Sequence, residues 1–431
     1  MFCRFHLRAQ LRSPAASALQ SVSAKPVLHR RGCNHGYSYR GFVIAAAAAG
    51  VLLLAHCDQV SATPYLPQHD DAVLERLPAG AFAATAEIRD LRATLRERPQ
   101  DLAVATQLAW RYFELGRRDA DPRYFGYAEG VLQPWWNTSQ PPSVVLLLRA
   151  TLRQKRHEFD LALTDLSVLV ARDPLNAQAW LTRAVVLQVR GDYALARASC
   201  GSLWRLDVVL ATACIGNVNS LTGQAATSTA QLRHAVERGH TAPVTVQLYL
   251  LTSLAEIAAR LGNAGDAQQW YRQALALGER AIYLVTSYAD FLLDQNRPAE
   301  VETLLASETR VDSLLLRLAL AERTTGARLL QEHVEVLRAR FAASRLRGDR
   351  THQGEESRFV LYLLKDPARA LTLAQANWAV QREPRDARIL LEAALAARNP
   401  AAAQPVREIL LHTGLEDQQL AAIVARLDAP P

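Results

Sequence analysis

The two side chains whose spacing most directly suggests chemistry are Cys200 and Cys214. Of the chain's five cysteines, Cys3, Cys33 and Cys57 precede residue 58, which leaves this pair as the thiols of the downstream body. Each lies seven residues from Asp207, around which a turn is expected. Residues equidistant from the turn of an antiparallel helical hairpin face one another, so the two thiols come within disulfide reach. In an oxidising compartment a bridge is favoured over two buried free thiols; otherwise both act as small apolar fillers.

No catalytic, metal or cofactor constellation accompanies them. The sequence contains no Gly-rich phosphate loop, no His-Glu-x-x-His and no Gly-x-Ser-x-Gly, and His69, His157, His234, His240, His333, His352 and His412 are scattered without metal-ligand spacing. His157 reads as a solvated turn residue. Glu355 and Glu356, near His352, read as a charged loop rather than an acid/base cluster. Trp135-Trp136, flanked by Pro134 and Pro141, covers the end of a hairpin or anchors a partner.

The elements that position these residues are preceded by a leader. Met1 to Cys57 holds seven basic residues and no Asp or Glu, whereas the rest has 42 Lys plus Arg against 42 Asp plus Glu. The net charge of +7 therefore belongs to the leader, and no electrostatic footprint for nucleic acid remains in the body. Arg40 and an apolar run at 41–55 form the pattern of a secretory signal or short membrane anchor, with Val60-Ser61-Ala62 placing a cut before Thr63. The rival is a lipoprotein modified at Cys57, although His56 sits where a lipobox has a small residue. Because Met1 is the only methionine, translation is expected to start downstream at another codon, an organelle transit peptide being the alternative. The expected division is a leader over 1–62, a Pro-rich tether over 63–80, a helical array over 81–345, a charged loop over 346–356 and weaker helical repeats with a cap over 357–431.

Within the array, residues 143–176 are repeated in register at 177–210. At an offset of 34, Arg149 aligns with Arg183, Ala150 with Ala184, Phe159 with Tyr193, Ala162 with Ala196 and Leu169 with Leu203. Small residues and aromatics at fixed slots of such a period specify helical hairpins that stack on copies of themselves. Each unit cannot bury its apolar face alone. The first hairpin is expected over Leu102–Leu115 with a turn at Gly116 and an overlong loop at 117–124; Gly216 takes a small slot in a later unit.

Ala177 to Val208 resembles the tetratricopeptide repeat, on Trp180, Arg183, Ala184, Leu187, Gly191, Tyr193, Ala196, Cys200, Leu203 and Val208, of which Arg183, Cys200 and Val208 depart from the pattern. The resemblance covers residues 101–345, and 357–411 more weakly. It implies an all-α, right-handed helical-hairpin solenoid whose concave face, lined by first helices, receives a protein or peptide partner; it implies no reaction. By the repeat's geometry that groove holds Lys155, Gln188, Asn217, Tyr249, Glu256, Arg260, Tyr283 and Asp290. The face passes from weakly basic to acidic along the array, and the competing reading is an ordinary solvated helix surface. Lys155 and Arg260 stand too many repeats apart for the terminal-carboxylate clamp of some relatives. The chain is expected to be a non-enzymatic scaffold of the bacterial envelope, periplasmic, secreted or anchored through residues 41–62, with membrane contact only there. The alternative is an accessory helical domain of an envelope enzyme or polysaccharide machine.

Overall fold

The computed structural model describes residues 79–429, so the leader and residues 63–78 of the tether lie outside it. Among the described residues there are twenty α-helices, short 3₁₀ and π turns, and no strand. None of these helices is long and apolar enough to cross a membrane. Helix α1 (Ala79–Glu97) begins at the end of the stretch expected as a tether over 63–80. It is followed by hairpins α2 (Leu102–Asp119) with α3 (Arg123–Trp136), α4 (Ser143–Lys155) with α5 (Phe159–Arg172), α6 (Ala177–Val189) with α7 (Tyr193–Gly201), and α8 (Val208–Ser220) with α9 (Ala225–Arg238). The series continues as α10 (Val244–Arg260) with α11 (Ala264–Ala276), α12 (Ile282–Asp294) with α13 (Pro298–Leu305), and α14 (Asp312–Thr325) with α15 (Leu330–Leu346). Helix α2 runs through Gly116, so the first hairpin turns at 120–122 rather than over the longer loop anticipated.

Polar side chains start the helices and small residues let them cross. Asp101, Asn176 and Asp207 each accept from a backbone N–H in the first turn of α2, α6 and α8, replacing partners those N–H groups lack within the helix. Ala150, Ala162, Ala184 and Ala196 are fully or almost fully buried at the repeat's small slots. Gly191 turns the α6–α7 hairpin at φ 82°, a left-handed conformation that glycine adopts without steric cost. His157, one period earlier, occupies the same conformation at φ 58°, half-buried and stacked on Phe159 with ring centroids 5.3 Å apart. This corrects its assignment as a solvated turn residue.

Gly216 shows how tightly a hairpin closes. A Cβ at this position would lie 2.8 Å from Leu232 Cδ2 on α9. Gly216→Ala is therefore expected to cost about 1–3 kcal/mol through forced repacking. An unchanged urea midpoint would show that α8 and α9 are not held this close.

The core lies between the paired helices, and one cluster runs without interruption from Leu248 on α10 to Ile423 near the C-terminus. That continuity explains how the last helices sit. After α15 come α16 (Gln353–Phe359), a π turn at Val360–Leu364, α17 (Pro367–Trp378), α18 (Pro384–Ala396), α19 (Gln404–Thr413) and α20 (Gln418–Asp428). The charged stretch expected as a loop over 346–356 is thus helical from Gln353, because Glu356 is buried between Arg345 and Arg369, whose guanidinium groups both donate to it.

An open solenoid joins only neighbouring repeats, yet here the C-terminal helices return to the first half of the array. Arg382 N donates to Val189 O at 2.7 Å, Gln418 Nε2 to Leu261 O at 2.8 Å, and Ala225 N to Glu416 Oε2 at 2.8 Å. Residues 357–429 do not simply prolong the array with a solvent-facing cap. They fold back across the concave face of α6, α8, α10 and α12, where α18 presents Arg385, Arg388 and Ile389, while Leu390, Leu391, Ala393 and Ala394 are buried in the core shared with the other C-terminal helices.

Candidate functional site

The site is a polar interior enclosed between the first helices of the array and the returning C-terminal helices. Its inner compartment, about 180 Å³, is lined by Gln188 of α6, Asn217 of α8, Glu256 and Arg260 of α10, Tyr283 and Asp290 of α12, and residues of α18. Next to it lies a larger chamber of about 930 Å³, bounded by the α2–α3 and α4–α5 turns, the start of α12 and α14, and the α15–α16 connection. Lys155 lines the larger chamber, Tyr283 both. Seven of the eight residues assigned to the groove therefore surround one connected interior, and Tyr249 does not. Tyr249 is 1% exposed and packs in the core of α6–α10, because its position on α10 faces the neighbouring hairpin. The assignment of Tyr249 to the concave surface is corrected accordingly.

The groove residues are bonded to their own chain rather than presented on an open face. Tyr283 Oη donates to Glu256 Oε1 at 2.6 Å and Ser287 Oγ donates to the same oxygen at 3.0 Å. Burial nevertheless pushes the Glu256 carboxyl above its ordinary range, and burial followed by the Glu256 charge raises the Tyr283 phenol well above 10. Asn217 Nδ2 donates to Ser253 Oγ at 2.9 Å, and an Arg260 Nη donates to Ser220 Oγ at 3.0 Å. The Arg385 guanidinium lies 4.9 Å over the Tyr283 ring.

Asp290 is the centre of the strongest electrostatic arrangement. It accepts from Arg317 Nε at 3.0 Å and Nη2 at 2.8 Å, a bidentate pair, and from Arg358 Nη1 at 2.6 Å. Burial alone would raise its carboxyl, but Arg317 and then Arg358 outweigh that and hold it well below the usual carboxylate range. Arg317 also donates to Glu355, which places one member of the supposed charged loop inside the network. One turn along α12, Asp294 accepts both terminal nitrogens of Arg388 at 2.7 Å. The acidic end of the concave face is thus neutralised by arginines of α14, α16 and α18.

Arg317, Arg358, Arg385 and Arg388 escape repeat-slot reasoning because three of them come from outside the array's regular period. Arg317 alone left a signal. It interrupts the apolar run Leu314-Leu315-Leu316 and Leu318-Ala319-Leu320, and an arginine on that buried face requires an anionic partner.

Two further features lie away from this interior. Trp136 is buried under the Arg149 and Arg153 guanidinium groups, whose centres lie 5.8 and 5.9 Å from its ring. Both arginines bond Asp165, Arg149 through Nε at 2.9 Å and Nη2 at 2.6 Å, so Trp136 covers a hairpin end. Cys200 and Cys214 are joined by a disulfide with Cα atoms 5.5 Å apart, linking α7 to α8 around the Asp207 cap.

No protein-family model matches the chain, and no curated protein matches it. Among solved structures it is similar to a tetratricopeptide repeat protein from Parabacteroides merdae ATCC 43184, with 16% identity, 60% of this chain and 93% of that chain covered, and a TM-score of 0.38. It is also similar to the APC/C hetero-tetramer Cut9-Hcn1 (15% identity, 72% of this chain and 52% of that one, TM-score 0.36) and to the human IFIT1 dimer with m7Gppp-AAAA (14% identity, 80% and 85%, TM-score 0.43). The stacked hairpins, the period of 34 and the alanine crossings define a tetratricopeptide-repeat-like helical solenoid.

Proposed function

We propose that this solenoid is a non-enzymatic scaffold of the bacterial envelope that takes a segment of a protein partner into the chamber between its first helices and its C-terminal helices. The observation that carries this reading is α18 itself. The concave face already receives a helix, through the Arg388–Asp294 pair, Arg385 over the Tyr283 ring and Ile389, so it has the shape and chemistry of a polypeptide-binding surface. The chamber of about 930 Å³ lies within the usual range of ligand pockets, up to roughly 1,000 Å³. Capture of an envelope protein by the full chain should be lost when the chamber is obstructed by Glu158→Trp, which adds bulk at the α4–α5 turn; unchanged capture would move the interaction elsewhere.

The envelope assignment is supported by the apolar run at 41–55, read as a secretory signal or anchor, and by the Cys200–Cys214 bridge, which persists in oxidising compartments. N-terminal sequencing of the fractionated protein should begin at Thr63. A lipidated Cys57 would instead make it a lipoprotein, and recovery in the cytoplasm with its leader intact would defeat the assignment.

A further inference from the structure

We infer that the larger chamber selects an acidic internal segment of its partner, an inference that rests on the partner-binding reading above. Three separated stretches bring arginines to this chamber: Arg117 at the end of α2, Arg310 before α14, and Arg347 and Arg350 between α15 and α16. Arg310, Arg347 and Arg350 are exposed, whereas Arg117 is half-buried with its Nε lacking a hydrogen-bond partner. Among the described residues none of the four joins an ion pair, and Arg347 donates to Ser344 Oγ at 3.0 Å. They differ in this from Arg317 and Arg385, deeper in the same chamber, whose charges are answered by Asp290, Glu355 and Glu383.

The arrangement is a paired floor beneath a rim on which, among the described residues, these four arginines outnumber the unpaired carboxylates Glu158 and Glu279. A charge at the mouth of a low-dielectric concavity acts on an incoming ligand more strongly than the same charge on a flat surface. A segment with several carboxylates supplies acceptors to the rim without disturbing the floor. Nucleic acid fits less well. The body outside the leader is formally neutral, so no extended basic track continues from the rim.

The test uses the full chain and an acetylated, amidated hexaglutamate peptide, with hexalysine and a hexanucleotide RNA as counterparts, by fluorescence anisotropy at low salt. Hexaglutamate should bind, hexalysine should not, and Arg310→Glu with Arg350→Glu should weaken hexaglutamate at least about tenfold. Both substitutions are at exposed positions and should leave the circular dichroism melt unchanged. Absence of hexaglutamate binding, equal binding by hexalysine, tighter binding by the RNA, or indifference to the double substitution would each overturn the inference. A chain that still captures its envelope partner, sensitive to Glu158→Trp, while ignoring hexaglutamate would refute the acidic preference alone. Loss of that capture sensitivity would refute the chamber reading instead.

Discussion

Asp290→Asn is expected to lower the unfolding free energy by about 3–5 kcal/mol near neutral pH, the range for breaking a buried ion pair by removing one charge. The asparagine keeps the shape of the side chain and discards its charge. Arg317, which is 1% exposed, then retains only Glu355 as an anionic partner, and Arg358 loses its carboxylate. The effect has a pH signature. The native Asp290 carboxyl is held well below the ordinary aspartate value of about 3.9, so its contribution is fully present above that value and disappears as pH falls toward the lower native one. The stability gap between wild type and variant, from urea unfolding, should be constant from neutral pH down to about 5 and narrow below about 4. A gap that persists unchanged through the acid range would show that charge is not the cause.

Removing the disulfide, by Cys200→Ser with Cys214→Ser or by reduction, should cost about 3 kcal/mol, the loop-closure value for a sequence separation of 14. The loss is expected to resemble destabilisation of the unfolding equilibrium without a new native shape, since Asp207 still caps α8 and the surrounding residues remain packed. Urea midpoints with and without reductant measure it, while non-reducing peptide mapping checks the pairing. Two free thiols in the oxidised protein would dispose of the bridge, and coincident midpoints would dispose of its stabilising role. Together with Asp290, this gives the two most sensitive points: one fixes α7 to α8, the other ties α12 to the helices that return across it.

Much of the architecture follows from short-range pattern. Alanines at 150, 162, 184 and 196 and aromatics at 159 and 193 identify hairpins because each acts on a neighbour within about one repeat. The Cys200–Cys214 approach can be inferred on the same grounds, since both residues flank a single turn. Slot geometry also brings Gln188, Asn217, Glu256, Arg260, Tyr283 and Asp290 to one face, although Tyr249 shows that a slot does not by itself establish exposure. The charge of the interior was less legible. Read by slot, the far end is acidic, but Arg317 of the next hairpin neutralises it together with Arg358 and Arg388, which come from elements that the period does not connect with α12.

Residue spacing alone was enough to specify an all-α array, its hairpins and the concave side, because a repeating unit states its packing within every copy. Closure of that concave side depended on the assembled chain. Its bonds link Val189 with Arg382, Ala225 with Glu416 and Leu261 with Gln418. Partners so distant in sequence share no period, and their approach is set by the accumulated curvature of the intervening repeats and the core running from α10 to α20. The paired floor, the unpaired arginine rim and the chamber between them exist only once that return is complete.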